Sequence, residues 1–330
     1  MIKNEKIDFV LTWVDDSDPN WIEDKNKYDT NNKLPSVRIR DWDFLKYWFR
    51  SIEENAPWVN KIHLVTWGHV PKWLELDNPK LNIVNHRDII DEKYLPVFST
   101  TALEISLYNI PNIAEQFVYF NDDMFINDKV NSDDFFVNGL PKDIGVMSPI
   151  LPVQEGVAHI VLNDLQLINK YFNRTDYLKH FTKFFNLKYG VNNFRSLILL
   201  PWNRIMGFYD QHLPLPLLKS SYQEVWNRFP ELMNDTLSHR FRDNRDYSVW
   251  LMRYWQLLTG NFVPRSLNFG KYYQIEDNTA SIDKEINQKM HKLIVLNDNE
   301  RLVNFEKTKE EITRYFDNQY PDKSSFEKEF

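Results

Sequence analysis

The chain has 330 residues, a formal charge of −7, 42% apolar and 26% charged residues, and no cysteine. The acidic balance argues against a general nucleic-acid binder, and the absent thiols exclude disulfides and thiolate chemistry. Its 8 glycines form no G-x-G-x-x-G and no G-x-x-x-x-G-K-[ST], so a phosphate must be held by side chains or a metal rather than a glycine-rich backbone cradle.

The opening MIKNEKIDFVLTWVDDSDPNW holds an apolar run too short, and too soon followed by acids, for a signal peptide or a span. No other stretch approaches the ~18 apolar residues of a span. A cytoplasmic protein is expected. Short, β-branched or aromatic runs predict strands over residues 7–14, 61–67, 81–85, 117–120 and 143–147. Helical spacing predicts helices over 41–55, with Asp41 as N-cap, and over 99–109, stopped by Pro111. Strand and helix in alternation imply an α/β fold with a mostly parallel, Rossmann-like (GT-A-like) sheet.

The second half reads as helical, over 160–172, 177–189 and 222–233, where Pro230 opens a new helix. Residues 246–258 place Trp250, Leu251, Tyr254, Trp255 and Leu258 on one face and stop at Gly260. The tail NQYPDKSSFEKEF is expected to be mobile. The organisation expected is an α/β nucleotide-sugar core over 1–150, a helical part over 151–265 that completes the site, and a C-terminal extension over 266–330, all in one compact unit.

Two acidic clusters end predicted strands: Asp15, Asp16 and Asp18 after the first, and Asn121, Asp122 and Asp123 after the fourth. Two like charges ~4 Å apart repel by about 1 kcal/mol in water and about 4 kcal/mol at a protein surface. A divalent cation, a basic side chain or a helix N-terminus would relieve that cost, and the cation would make the pair a chemical tool. Successive strand residues face opposite ways, so Asp122 and Asp123 meet one ligand only if the chain has already turned. Ligands in open α/β sheets bind beyond the carboxyl ends of strands, where both clusters fall. The helical half offers His212 at a proline-rich approach to a helix, and His239, Arg240 and Arg242 further on. Any of these alone is ordinary surface chemistry. Together with the carboxylates they suit a metal-held pyrophosphate, since Arg presents a planar fork of donors and His exchanges a proton near neutral pH.

Several long blocks, in order, resemble the Stealth family: IDFVLTWVDDSDPNW, RIRDWDFLKYWFRSIEENAPWVNKIHLVTWGHVPKWL, LPVFSTTALEISLYNIPNIAEQFVYFNDDMFI, and the histidine-proline block with SHRFRDNRDYSVWLMRYWQLLTG. That family comprises sugar-phosphate transferases of bacterial capsules, similar to the catalytic part of GlcNAc-1-phosphotransferase. The resemblance implies transfer of a hexose 1-phosphate from a UDP-sugar to a hydroxyl of a glycan or lipid-linked saccharide, with release of UMP. It places Thr12, Trp13, Asp15 and Asp16 with Arg40, Glu104, Asn121, His239 and Arg240 around the donor. Mg²⁺ or Mn²⁺ is expected on Asp15, Asp122 and Asp123. His212 is the first choice for the acceptor proton, with Asp122 or Asp123 as rivals, and Arg242 is expected to stabilise the transferred phosphate. Asp16 stands where the family usually has glycine, and the block over 163–190 matches only loosely. A metal-dependent glycosyltransferase releasing UDP is the nearest alternative, and a carbohydrate-binding protein using the tryptophans is a third. Membrane association would have to come from a partner complex or a surface patch.

Overall fold

Alternation along β1 (Ile7–Thr12) sets the plan of the molecule: Phe9 and Leu11 enter one hydrophobic core while Val10, on the opposite pleat face, enters another. The computed structural model describes residues 6–15, 17–29, 40–151 and 157–329. After β1 come α1 (Pro19–Tyr28), α2 (Leu45–Asn55), β2 (Ile62–Thr66), β3 (Leu81–Asn85), α3 (His86–Ile89) and α4 (Thr100–Glu104). There follow β4 (Gln116–Phe120), β5 (Met124–Ile126), β6 (Phe136–Val137) and β7 (Leu140–Asp143). The helical part holds α5 (Ala158–Tyr171), α6 (Arg174–Lys179), α7 (Phe181–Phe184) and α8 (Asn193–Leu199), then β8 (Leu215–Leu218), α9 (Lys219–Arg228), α10 (Pro230–Ser238) and α11 (Val249–Leu258). The chain closes with β9 (Val263–Pro264), β10 (Gly270–Gln274), α12 (Ala280–Gln288), β11 (Leu293–Asn297) and α13 (Phe305–Gln319).

The central sheet runs β3-β2-β1-β4-β8, parallel but for β8. This is the mostly parallel, Rossmann-like core expected. On one face α2 packs Tyr47, Trp48, Phe49 and Ile52 against Phe9, Leu64 and Phe120, and α13 adds Ile312 and Phe316. On the other, α11 packs against Val10, Val65, Phe117 and Tyr119 together with α5 and α9. Burying each such side chain contributes roughly 1.5–3 kcal/mol, so helices from both halves are held by the same sheet.

Seven expectations need correction. The helix expected over 99–109 breaks into α4 and a 3₁₀ turn at Leu107–Asn109, and the one expected over 177–189 breaks at His180 and Phe185 into α6, α7 and a 3₁₀ stretch from Leu187 in which Gly190 is non-helical. Asp41 does not cap α2, because its Oδ1 accepts the Asp43 N–H (2.7 Å) across a turn in which Asp43 has φ 53°; the helix starts at Leu45 without a side-chain cap. The strand expected over 143–147 ends at Asp143, whose carboxylate is taken by Arg253. The proline-rich run after His212 leads first into strand β8, where Pro216 is tolerated because β8 is an edge strand. The helix α11 is buried on nearly all sides, not on one face, and Trp250 is its less buried member. Finally, the C-terminal tail is anchored: Phe326 is buried against Phe49, and Glu327 accepts two hydrogen bonds from the Arg50 guanidinium (2.7 Å each). Residues beyond 266 belong to the first core, and β10 and β11 form a second sheet with β5.

The break expected at Pro230 is present, with Pro230 in the first turn of α10. Gly260 follows α11 at φ 77°, and a Cβ there would meet the His180 ring at 2.3 Å, so glycine is required both by conformation and by space.

Candidate active site

The strand ends β1 and β4 are neighbours in the central sheet, and the chains leaving them open a cleft of about 1790 Å³. Beyond Phe120 the chain leaves the central sheet and enters the second sheet at Met124, so Asn121–Asp123 is a sheet-to-sheet turn, closed by Met124 N–H to the Asn121 carbonyl (3.2 Å). The turn supplies what a straight strand could not, and both carboxylates line the same cleft. It is fixed from behind by Leu296 of β11, whose N–H donates to the Asp123 carbonyl (2.8 Å).

Facing this turn is His212. Its Nε2 lies 3.6 Å from Asp123 Oδ2, and its backbone is held at φ 55°. That unusual conformation is clamped by Asp210, whose Oδ1 accepts the His212 N–H (3.1 Å) while Oδ2 accepts Trp250 Nε1–H (3.1 Å). Asp210 in turn lies 3.7 Å from Arg253 Nη1, and Arg253 is fully buried against Asp143 in a bidentate pair (2.8 and 2.9 Å). Burial works against a charged His212 imidazole, but hydrogen bonding and attraction to Asp123 overcome it, and the pKa is raised. Asp123 Oδ1 is buried with no hydrogen-bond partner.

At the inner end of the cleft sits Glu104, at the last residue of α4. Burial raises its carboxyl to about 7, against the pull of the Val249 N–H (3.3 Å) and the positive fields of Arg242 and His212. Thr12 Oγ1 is 3.1 Å from the Tyr119 hydroxyl, which connects the end of β1 to the Glu104 region through β4. Arg242 is exposed at the cleft wall and donates to Thr100 Oγ1 (3.1 Å), leaving the rest of its fork for a ligand.

The first acidic cluster divides its tasks. Asp18 caps α1 by accepting the Trp21 N–H (2.9 Å), and Asp15 Oδ1 accepts from Ser17 N–H (2.9 Å) and Ser17 Oγ (2.5 Å). Both line the cleft, as do Thr12, Trp13 and Arg40. Arg40 reaches Asp298 (3.5 Å) and the Asn299 carbonyl (3.2 Å) at the far wall. Asp16 lies outside the described residues.

His239 and Arg240 are not brought to the cleft. His239 Nδ1 donates to buried Asp246 (2.8 Å) while Nε2 accepts from Arg245 (2.8 Å), so both ring nitrogens are spent within the loop. Arg240 donates to the Leu95 carbonyl (3.3 Å) and lies over the Tyr28 ring, 4.6 Å from its centroid. Asp246 is what turns this loop inward, since it also accepts from Thr101 Oγ1 (2.7 Å) and the Asp243 N–H (3.0 Å).

Sequence reasoning missed Asp210, Trp250 and His69. Asp210 stands two residues before His212, a usable signal for a backbone clamp. His69 Nε2 accepts the Asp15 N–H (2.7 Å), a role fit for the neutral ring that burial favours by lowering its pKa. The far wall from Gln274 to Leu302 was also missed.

Among the described residues no group of three or more His, Asp and Glu could by itself hold a metal ion. A Mg²⁺-like cation is commonly held by one or two carboxylates with substrate phosphates and water completing the shell. Adjacent Asp122 and Asp123, with the Asp123 Oδ1 unpartnered, fit that donor set.

Comparison with known proteins matches three regions of the chain to Stealth protein CR1, conserved region 1 (residues 5–33), CR2, conserved region 2 (38–143), and CR3, conserved region 3 (211–255). The chain is 43% identical over 330 residues to a Streptococcus pneumoniae protein named capsular polysaccharide phosphotransferase WcwK, covering 98% of each. It is 41% identical to the Lactiplantibacillus plantarum exopolysaccharide phosphotransferase cps2G, covering 98% of this chain and 96% of that one. It is 38% identical to the Streptococcus oralis receptor polysaccharide phosphotransferase WefC, over 98% and 99%. Solved structures similar to it include the bifunctional glycosyltransferase WbbM (TM-score 0.43, 12% identity, 96% of this chain and 50% of that one). Another is the galactosyltransferase LgtC (TM-score 0.40, 10% identity, 94% and 95%).

Proposed function

Since the chain belongs to the Stealth family, we propose that it transfers a hexose 1-phosphate from a UDP-sugar to a hydroxyl of a second sugar in a capsular or surface polysaccharide, releasing UMP. The observation that carries this reading is the convergence of Asp122, Asp123, His212, Glu104 and Arg242 on one cleft at the ends of β1 and β4. These residues come from separate matched regions of the chain, and the fold brings them together. The names of the relatives support phosphosugar transfer, and the choice of a UDP-sugar donor and UMP as leaving group follows what the family resemblance implies.

The acceptor hydroxyl attacks the phosphorus next to the donor sugar. A new P–O bond forms, the P–O bond to the nucleoside monophosphate breaks, and the hydroxyl proton passes to His212. Asp123 orients the imidazole through Nε2, and Asp210 fixes the backbone that carries it. Charge building on the phosphoryl oxygens meets the Arg242 guanidinium, a preorganised electrostatic contribution of the kind that dominates phosphoryl transfer. Glu104, whose carboxyl keeps its proton until the pH approaches about 7, holds a hydroxyl of the donor sugar beside Thr12. Trp13 and Arg40 bound the rest of the donor space, and Asn121 lies at the turn. Mg²⁺ or Mn²⁺ would be held by Asp122 and Asp123 together with the donor diphosphate, and would neutralise charge on the diphosphate and the departing UMP.

The acceptor is a glycan or a lipid-linked saccharide. No helix among the described residues is long and apolar enough to cross a membrane, so a lipid-linked acceptor would be met at a bilayer surface. The test is incubation with a panel of UDP-sugars, Mg²⁺ and a saccharide acceptor, with identification of the nucleotide. UMP with a phosphorus-containing glycan supports the proposal. UDP with a phosphorus-free glycoside replaces it with the glycosyltransferase reading.

A further inference from the structure

From Tyr177 to Tyr209 the sequence contains five Lys or Arg residues and no Asp or Glu, in a chain whose net charge is −7. The same stretch exposes large apolar side chains: Leu187 is 98% exposed, Val191 78%, Ile198 67% and Phe194 65%, and Trp202 is exposed as well. Phe194, Leu197 and Ile198 share one face of α8 through their i, i+3, i+4 spacing. Scattered exposed apolar residues are normal, but a contiguous set on one element marks an interaction surface.

These side chains are held outward on a braced support. Ser196, on the inner side of α8, accepts the Met147 N–H (2.9 Å), and Asn193 bonds the carbonyls of Asn186 (2.8 Å) and Gly190 (2.9 Å). Buried Tyr189 donates to the Lys183 carbonyl (2.9 Å). Of the five cations Lys179 pairs with the Asp176 carboxylate just outside the stretch (2.7 Å), and the other four are engaged by neutral acceptors: Lys183 by the Gly260 carbonyl, Lys188 by that of Pro264, Arg204 by that of Asn169, and Arg195 by Ser148 Oγ. Such bonds orient the side chains and leave their charge uncancelled.

We infer that the face formed by residues 187–204 docks the protein on an anionic lipid bilayer, with Phe194, Ile198 and Trp202 entering the interfacial region and Lys188, Arg195 and Arg204 meeting lipid phosphates. Exposed apolar side chains interspersed with basic ones are the composition of an interfacial membrane contact, and Trp suits the headgroup level in particular. Charge decides against a second copy of the chain as occupant, because a two-fold interface would set this acid-free, basic face against itself. The inference stands independently of the reaction proposed above, and its test involves no turnover.

The full chain would be sedimented with vesicles of equimolar phosphatidylglycerol and phosphatidylcholine, and separately with phosphatidylcholine alone, at low and high salt. Expected are binding to the anionic vesicles, at least about tenfold weaker partition to the zwitterionic ones, and weakening by salt. The triple variant Phe194→Ser, Ile198→Ser, Trp202→Ser should lose at least about tenfold in partition with an unchanged melting temperature, since none of the three is buried. Arg195→Glu with Arg204→Glu should lose anionic preference by a similar factor and provides the test should the apolar variant fold poorly. No binding by the native chain to anionic vesicles overturns the inference, as does binding that both variants retain. Self-association in sedimentation velocity that the triple variant abolishes, without vesicle binding, would also overturn it and assign the face to a protein contact.

Discussion

Replacing Glu104 by Gln should make the protein more stable above neutral pH while impairing it as a catalyst. The Glu104 carboxyl is buried at the inner end of the cleft, and burial raises it from 4.5 to about 7. A carboxyl whose folded pKa exceeds its unfolded one binds a proton more tightly in the folded state. It therefore contributes stability that is complete below about pH 4.5 and is lost as pH rises through about 7. The gap corresponds to roughly 3 kcal/mol. Gln is uncharged throughout and retains an oxygen for the Val249 N–H, so it escapes that loss. With an unfolding entropy of about 2.1 cal/mol/K per residue, 3 kcal/mol amounts to about 4 °C in melting temperature for a chain this long. Thermal unfolding of both proteins without ligand should nearly coincide at about pH 5 and differ by about 4 °C in favour of the variant at about pH 8. Turnover of the variant should fall at both. A variant less stable than the native chain at every pH would refute the reasoning and make Glu104 a structural ion-pair partner of Arg242.

His212→Ala should bind donor and lose turnover by ~10²-fold or more in a steady-state assay, and near-normal turnover would pass the proton to an aspartate. Arg253→Leu should cost about 3–5 kcal/mol in denaturant unfolding, because it strands the buried Asp143 carboxylate. Chelation should abolish transfer and Mg²⁺ or Mn²⁺ restore it, and full activity in excess chelator would remove the metal from the account.

The sheet and its acidic strand ends were legible because β1, β2 and β4 are short, largely apolar runs buried along almost their whole length, as strands covered on both faces are, and the edge strand β3 still carries the apolar Leu81, Ile83 and Val84. Strands β5 and β8 to β11 were not, being two to five residues long, some with proline, and strand only by virtue of distant partners such as Ile126 for Leu293. That long-range pairing also anchors the tail, whose composition suggests mobility until Arg50 is placed opposite Glu327. At the site, residue type was a good guide and direction was not. The basic residues His239, Arg240 and Arg242 look alike in sequence, yet Asp246 pulls His239 aside while Arg242 alone of the three lines the cleft. The clamp of His212 by Asp210 was signalled only by their two-residue spacing, whereas the positive backbone torsion that aims the imidazole at Asp123 appears only in the folded chain.

The central claim is that the phosphate next to the sugar travels with the sugar. Incubating the protein with an acceptor saccharide and a UDP-sugar labelled with radioactive phosphorus at that phosphate tests it most directly. Label is expected in the glycan, resistant to phosphatase as a phosphodiester is, with unlabelled UMP in solution. Label retained in UDP, with the sugar alone on the acceptor, would contradict it.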